Sequence, residues 1–239
     1  MDIGTAVVVG GTGGIGQAIV ESLAQVCRRI VITYNERADI ADEVSASLPI
    51  QCVPVRADIT SEADLRQVAS AALALGGPIE TVVNAAGASR SLPLTELDSA
   101  SWLATAKIHL LGPMLVAKAF GEPLLADGGG ALVFVSSVAG THPEPRGHDY
   151  VAAKGGLWSL TRSLALDLAP RVTVNSVAPG WISSTRRPRL GSAQEALLGR
   201  VPLARFGSPA DIAAVVRLLA TPGGYVTGQT IVVDGGFSL

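Results

Sequence analysis

Tyr150 and Lys154 stand four residues apart in Asp149-Tyr150-Val151-Ala152-Ala153-Lys154, a spacing that places both side chains on one face of a helix. A phenol with an ordinary pKa of about 10 exchanges protons poorly near neutrality, but a neighbouring ammonium favours the phenolate and brings it toward working range. The pair suits a proton donor. Taken alone it is equally a surface helix pair, because Tyr-x-x-x-Lys arises often by chance. Ser136 and Ser137 lie upstream at the end of a β-branched run, where a hydroxyl would hold and orient an oxygen atom; the plainer alternative is a strand-to-loop serine pair. His109 precedes Ser137 by 28 residues. An imidazole both donates and accepts, so His109 is either a proton relay or a core histidine satisfied by backbone.

Such groups need a scaffold. Short β-branched runs near 6–9, 30–33, 50–55, 80–83, 131–135, 172–177 and 230–233 alternate with longer Ala- and Leu-rich stretches. Seven strands separated by helices predict an α/β fold, a doubly wound parallel sheet with helices on both faces, formed by one domain over 1–239. Between the first strand and the first helix runs Gly10-Gly11-Thr12-Gly13-Gly14-Ile15-Gly16. Without side chains there the backbone turns tightly and approaches a pyrophosphate at the positive end of a helix; alone, the loop is also a plain strand-to-helix turn. Gly128-Gly129-Gly130 reads as a helix stop inside the same alternation. Residues 183–207, with Arg186, Arg187, Pro188 and Arg189, break the rhythm and are expected to form a flap over a site.

Composition narrows the class of chemistry. Hydrophobic residues make up 48% and charged residues 16% of 239 positions, a balance suited to a large buried sheet. The net charge is −2 without a block of like charges, so neither nucleic acid nor an anionic membrane is an expected partner. Cys27 and Cys52 show no CxxC spacing and read as inert core thiols, and no metal is implied. No stretch approaches the length of a membrane span and no export signal is visible, so a cytoplasmic location is expected.

The spacing Gly10-x-x-x-Gly14-Ile15-Gly16 resembles the short-chain dehydrogenase/reductase family, in its 3-oxoacyl-carrier-protein-reductase-like branch, and further family blocks recur in order along nearly the whole chain. Asp58 and Ile59 match the segment that meets the adenine. Asn84-Ala85-Ala86-Gly87 is similar to the block that ends the fourth strand, and Pro179-Gly180-Trp181-Ile182, with Ser184 beyond it, to the one that brackets the nicotinamide. Thr227-Gly228-Gln229 and Val233-Asp234-Gly235-Gly236 resemble the C-terminal signature. Val9 stands where the first motif usually has Thr, and Ala85 replaces an Asn.

The resemblance implies a single-domain Rossmann fold and reduction of a ketone to a secondary alcohol. Tyr150 would donate the proton as hydride arrives, Lys154 would lower the phenol's pKa and hold the nicotinamide ribose, and Ser137 would orient the carbonyl. His109 occupies the place of the Asn that in relatives holds a water leading to the lysine. As a relay it would give a pH dependence near its ordinary pKa of about 6.5; otherwise the exchange marks a core residue or lost turnover. An acidic residue at the end of the second strand selects NAD by repelling a 2′-phosphate. Tyr34 sits there instead, with Thr33, Asn35 and Arg37 as phosphate neighbours. NADP(H) is therefore favoured and NAD(H) is the alternative, with Glu36 and the lack of a basic residue over Gly11–Gly13 as contrary signs.

The substrate is less legible. Leu125–Ala131 lacks the basic residues common in relatives that act on carrier-protein substrates, which disfavours a carrier-protein partner. Ser89, Arg90, His142, Glu144, Arg146, His148 and Trp181 are expected around the cleft, suiting a polar or partly anionic ketone, although each alone is ordinary loop polarity. A non-redox dinucleotide-binding partner protein is the second reading. An enoyl reductase is the third, disfavoured by the close Tyr-Lys spacing. The resemblance implies a homotetramer or homodimer packed through the helices around 100–125 and 150–168 and the last strand.

Overall fold

The computed structural model describes residues 3–88, 92–126, 128–143, 146–183 and 196–239. Seven strands, β1 (Ile3–Val9), β2 (Cys27–Tyr34), β3 (Gln51–Arg56), β4 (Ile79–Asn84), β5 (Gly130–Val135), β6 (Val172–Pro179) and β7 (Thr230–Val233), form one parallel sheet in the order β3-β2-β1-β4-β5-β6-β7. The helices are α1 (Gly14–Leu23), α2 (Ala38–Ser47), α3 (Glu62–Ala74), α4 (Ser99–Ala106), α5 (Gly112–Ala126), α6 (His148–Leu168) and α7 (Pro209–Leu219). This is the single-domain Rossmann-like α/β architecture the alternation predicts.

Every residue of β1 is buried because helices cover both faces of the sheet. Its side chains alternate. Val7 and Val9 point into a core with Leu65 of α3, Phe120 and Leu124 of α5 and Leu157 of α6. Ala6 and Val8 point into a second core with Ile19 and Leu23 of α1 and Ile212 and Val216 of α7. A one-residue slip would exchange the two sets, so the pattern fixes the register. Pro54 falls on β3, an edge strand, where a missing N–H is tolerated.

Local signals end the elements where they should. Ser208 and Asp211 form a reciprocal capping box at the start of α7, with Pro209 in its first turn. Gly128 and Gly129 adopt φ of 96° and 107° after α5, confirming the three-glycine run as a helix stop. The sheet order reverses between β1 and β4, and the carboxyl ends of the strands there open a crevice where α/β sheets bind ligands.

One expectation is corrected. Ser99–Ala126 is a continuous 28-residue helical run with an 18-residue window of mean hydropathy 1.2, long and apolar enough to cross a membrane by length and composition alone. The polar Lys107 and His109 interrupt the apolar run in the sequence. Its apolar face packs on the sheet through Val116, Phe120 and Leu124. Cys27 is buried, with its thiol pushed up to about 12 by burial first and the nearby Glu80 charge second, as an inert core thiol requires.

Candidate active site

The Gly-rich loop is shaped by its own close contacts. Gly10 has φ of 82°, and a Cβ on it would lie 2.6 Å from Ala86 of the neighbouring strand end. A Cβ on Gly16 would lie 2.1 Å from the Gly10 carbonyl oxygen. Gly13 and Gly14 differ: both are exposed, and a Cβ on Gly14 would meet nothing within 4 Å. Helices α3, α4 and α7 are each capped by a side chain, from Ser61, Asp98 and Ser208. Helix α1 has no side-chain cap and no acidic residue in its first turn. Its amides thus face open space at a positive helix end, which fits a pyrophosphate. Thr12 is buried, and its carbonyl accepts from the Gln17 side chain at 2.9 Å.

Thr33 is reassigned by its geometry. It is buried, and its hydroxyl accepts from the Gly10 N–H at 3.0 Å, so it braces the loop instead of facing solvent as a phosphate neighbour. Asn35 is exposed, and its carbonyl accepts from Arg56 Nε at 3.1 Å. Arg56 pairs with Tyr34 across β2 and β3, which brings a second guanidinium to the region of Arg37. Sequence reading missed Arg56, because only strand register puts it beside residues 22 positions away. The Asp58 carboxylate accepts from the Thr60 N–H and hydroxyl, both at 2.8 Å. Ile59 is buried against Gly112, where a Cβ would come within 2.8 Å.

A cleft of about 410 Å³ opens at the switch point and gathers the chemistry. Ser137, Tyr150, Lys154 and His109 all line it, with Ile15, Ala85, Ala86 and Gly87 on one side and Pro179, Gly180, Trp181 and Ile182 on another. Asn84 sits beneath, its side-chain oxygen accepting from the Ala86 N–H at 3.0 Å. The C-terminal signature holds this wall from behind. Asp234 accepts from the Gly236 and Ser238 N–H groups, and Gly180 packs so close that a Cβ would lie 2.5 Å from the Asp234 side chain.

Ser137 follows β5, and its Oγ accepts from the Ala139 N–H at 3.1 Å. That leaves its own O–H to donate. Burial holds the Tyr150 phenol above its ordinary pKa, and the Ser137 hydroxyl pulls against it. Lys154 is buried and donates from Nζ to the Val135 carbonyl at 2.9 Å, 5.6 Å from the Tyr150 ring centre. Burial lowers it to about 8. The Ser137 hydroxyl is thus the contact that draws the phenol down against its burial.

His109 lies in a π turn, Lys107–Leu111, between α4 and α5. Its ring stands edge-on to Tyr150, with centres 5.0 Å apart at 84°, and packs so tightly on Gly87 that a Cβ there would lie 2.9 Å from it. Nε2 is 2.5 Å from the Ala88 carbonyl. A carbonyl only accepts, so Nε2 carries the proton and Nδ1 the lone pair. Nδ1 is buried without a hydrogen-bond partner among the described residues. Burial, and then the Lys154 charge, push His109 down to about 4. That lies below the range near 6.5 in which a relay through an ordinary imidazole is expected to titrate.

Asp149, unassigned in the sequence, is buried and accepts from the Thr105 hydroxyl at 2.5 Å. Phe237 also lines the cleft. Among the other expected cleft residues, His142 and Arg146 line it and His148 does not. Ser89, Arg90, Glu144, Ser184 and the flap's Arg186, Arg187, Pro188 and Arg189 lie outside the described residues. The Ser183 N–H donates to the Gly207 carbonyl at 2.7 Å, which joins the two ends of the 183–207 stretch.

Comparison with known proteins agrees with this fold. A family model described as enoyl-(acyl carrier protein) reductase matches residues 10–238. The 3-oxoacyl-[acyl-carrier-protein] reductase of Synechocystis sp. is 35% identical over 97% of this chain and 95% of its own length. Carbonyl reductase family member 4 of Danio rerio is 38% identical over 98% of each. A blue fluorescent protein from a metagenomic library, solved in complex with NADPH, superimposes with a TM-score of 0.91 at 32% identity, covering 100% of this chain and 99% of that one.

Proposed function

This chain belongs to the short-chain dehydrogenase/reductase family, on its 3-oxoacyl-carrier-protein-reductase-like branch, and from that premise we propose that it is an NADP(H)-dependent ketoreductase forming a secondary alcohol. The observation that carries this reading is the convergence of Ser137, Tyr150 and Lys154 on one cleft at the switch point, beside the Pro179–Ile182 wall. NADPH, when bound, would supply the hydride for the carbonyl carbon. The Ser137 O–H donates to the carbonyl oxygen and holds it still. Tyr150 gives its proton to that oxygen as the C=O bond opens, leaving a phenolate. The Lys154 ammonium lies close enough to stabilise that charge and would also hold the ribose hydroxyls. His109, in its Nε2–H form, offers Nδ1 as an acceptor to a water beside Lys154 and so orders proton resupply without titrating itself.

The NADP(H) preference rests on Arg37 and Arg56 near the end of β2, with no carboxylate at Tyr34. Uncapped α1 amides would hold the pyrophosphate, and Gly10 and Gly16 would keep its loop in shape. The relatives' names leave a carrier-protein thioester as a lesser candidate substrate. The close Tyr-Lys spacing argues for ketone over enoyl reduction.

The test is NADPH and NADH consumption against a panel of β-ketoesters, cyclic ketones, quinones and sugars. Turnover with NADPH that Tyr150→Phe abolishes is expected. A protein that binds dinucleotide and consumes none across the panel would instead be the redox-silent partner protein. Loss of one exposed phosphate contact costs about tenfold, so Arg56→Gln should raise the KM for NADPH by about that factor and leave NADH unaffected. Equal effects on both cofactors would remove the assignment of Arg56.

A further inference from the structure

The charge around the cleft is one-sided. Among the described residues that line it there is no carboxylate, while Lys154 lies at its floor and His142 and Arg146 are exposed at its edge. Arg146 makes no ion pair among the described residues. It lies four positions before Tyr150, and the backbone between them is fixed. Gly147 adopts φ of 71°, and its N–H donates to the Leu92 carbonyl at 3.1 Å. A guanidinium without an ion pair among the described residues is therefore held at the same cleft as the proton donor.

The neighbouring charges do not cancel it. Asp234 lies within electrostatic reach of His142, but its oxygens accept from Gly236 and Ser238 and it does not line the cleft. The remaining wall is aromatic, formed by Trp181 and Phe237. Arg200 stacks 4.5 Å from the Phe237 ring centre and backs that wall. A cleft of about 410 Å³ that must also admit a nicotinamide leaves room only for a small molecule.

We propose that the substrate is a short ketone bearing a carboxylate, with Arg146 as the residue that recognises the anion while the carbonyl reaches Ser137 and Tyr150. A guanidinium matches a carboxylate with two parallel N–H donors, so it orients the molecule as well as attracting it. His142 stands at the same edge and offers a ring N–H as a hydrogen-bond donor. Trp181 and Phe237 enclose the carbon chain between the two ends. This inference rests on the reductase reading and names its substrate class.

The experiment compares levulinate with methyl levulinate, which share a ketone and differ in charge. With NADPH, kcat/KM should favour the acid by about tenfold, a moderate factor because Arg146 is exposed and screened by solvent. Raising the salt should shrink that ratio. Arg146→Gln should collapse it and Arg146→Lys should restore part of it, with thermal unfolding checking that each variant is folded. Binding is read separately by titrating both compounds into protein loaded with NADP⁺. Acid-selective binding that Arg146→Gln removes supports the inference even without turnover, in which case it is the reductase reading that fails. Equal handling of acid and ester, a preference that survives Arg146→Gln, or binding of neither compound overturns the inference. Turnover of the ester would then leave the reductase reading standing.

Discussion

His109 is held neutral by its surroundings, and that has a consequence for stability as well as for chemistry. The unfolded chain takes up a proton on this imidazole as pH falls below about 6.5, whereas the native ring resists until about 4. Between those values the unfolded state binds more protons, so stability falls as the solution is acidified through the window. A shift of that size corresponds to about 3 kcal/mol. Denaturant unfolding of His109→Asn between pH 6.5 and 4 should show a shallower decline than the parent; parallel curves would mean the ring is not excluded from protons as its burial implies. Lys154 has the same sign at the alkaline end. Its native pKa of about 8 lies below the ordinary value of 10.5, so the ammonium beside Tyr150 is lost as pH rises through 8. With a neutral ketone, kcat/KM should fall above that point, and a profile flat to pH 10 would show that the charge on Lys154 is not required.

Position within an element decides what these residues meet. The π turn at Lys107–Leu111 adds one residue to a helical turn and rotates His109 onto Gly87 and Tyr150. Thr105 and Asp149 then tie α4 to the start of α6 just before Tyr150. Thr105→Val keeps the shape and removes the hydroxyl, so the buried Asp149 loses its donor. We expect a stability loss of about 1–3 kcal/mol and a slower Tyr150-dependent step, measured by denaturant unfolding and single-turnover kinetics. At the other end of the cleft, Gly16→Ala would push a methyl into the Gly10 carbonyl. The loop must shift, and dinucleotide affinity measured by calorimetry should fall at least tenfold; unchanged affinity would show that the loop adapts.

At the scale of the whole molecule, apolar surface remains outside the two cores. Trp102 and Leu103 on α4 and Leu166 on α6 are exposed, the last by 84%, and Ile231 and Val232 of β7 are exposed at the sheet edge. Patches of this kind on one fold mark protein contacts. A dimer or tetramer by light scattering is expected, with Leu166→Asp shifting the mass downward. A monomeric parent chain would show that these faces have no partner copy.

Sequence alone determined the sheet and its two helical layers, because a strand buried on both faces and a helix with one apolar face leave different periods in the chain. Its motifs, by their resemblance to the family's, also brought forward Ser137, Tyr150, Lys154 and the Gly loop as candidates, and the fold lines one cleft with the three side chains. Tertiary structure decided the rest. Thr33 braces the loop because its strand neighbour turns it inward, and Arg56 reaches Asn35 only through the β2–β3 register. The protonation of His109 follows from what surrounds it, its burial, the Lys154 charge and the Ala88 carbonyl, none of which is local in sequence. Residue type fixes what a group is able to do, and burial and partners contributed by distant segments fix which of those things it does.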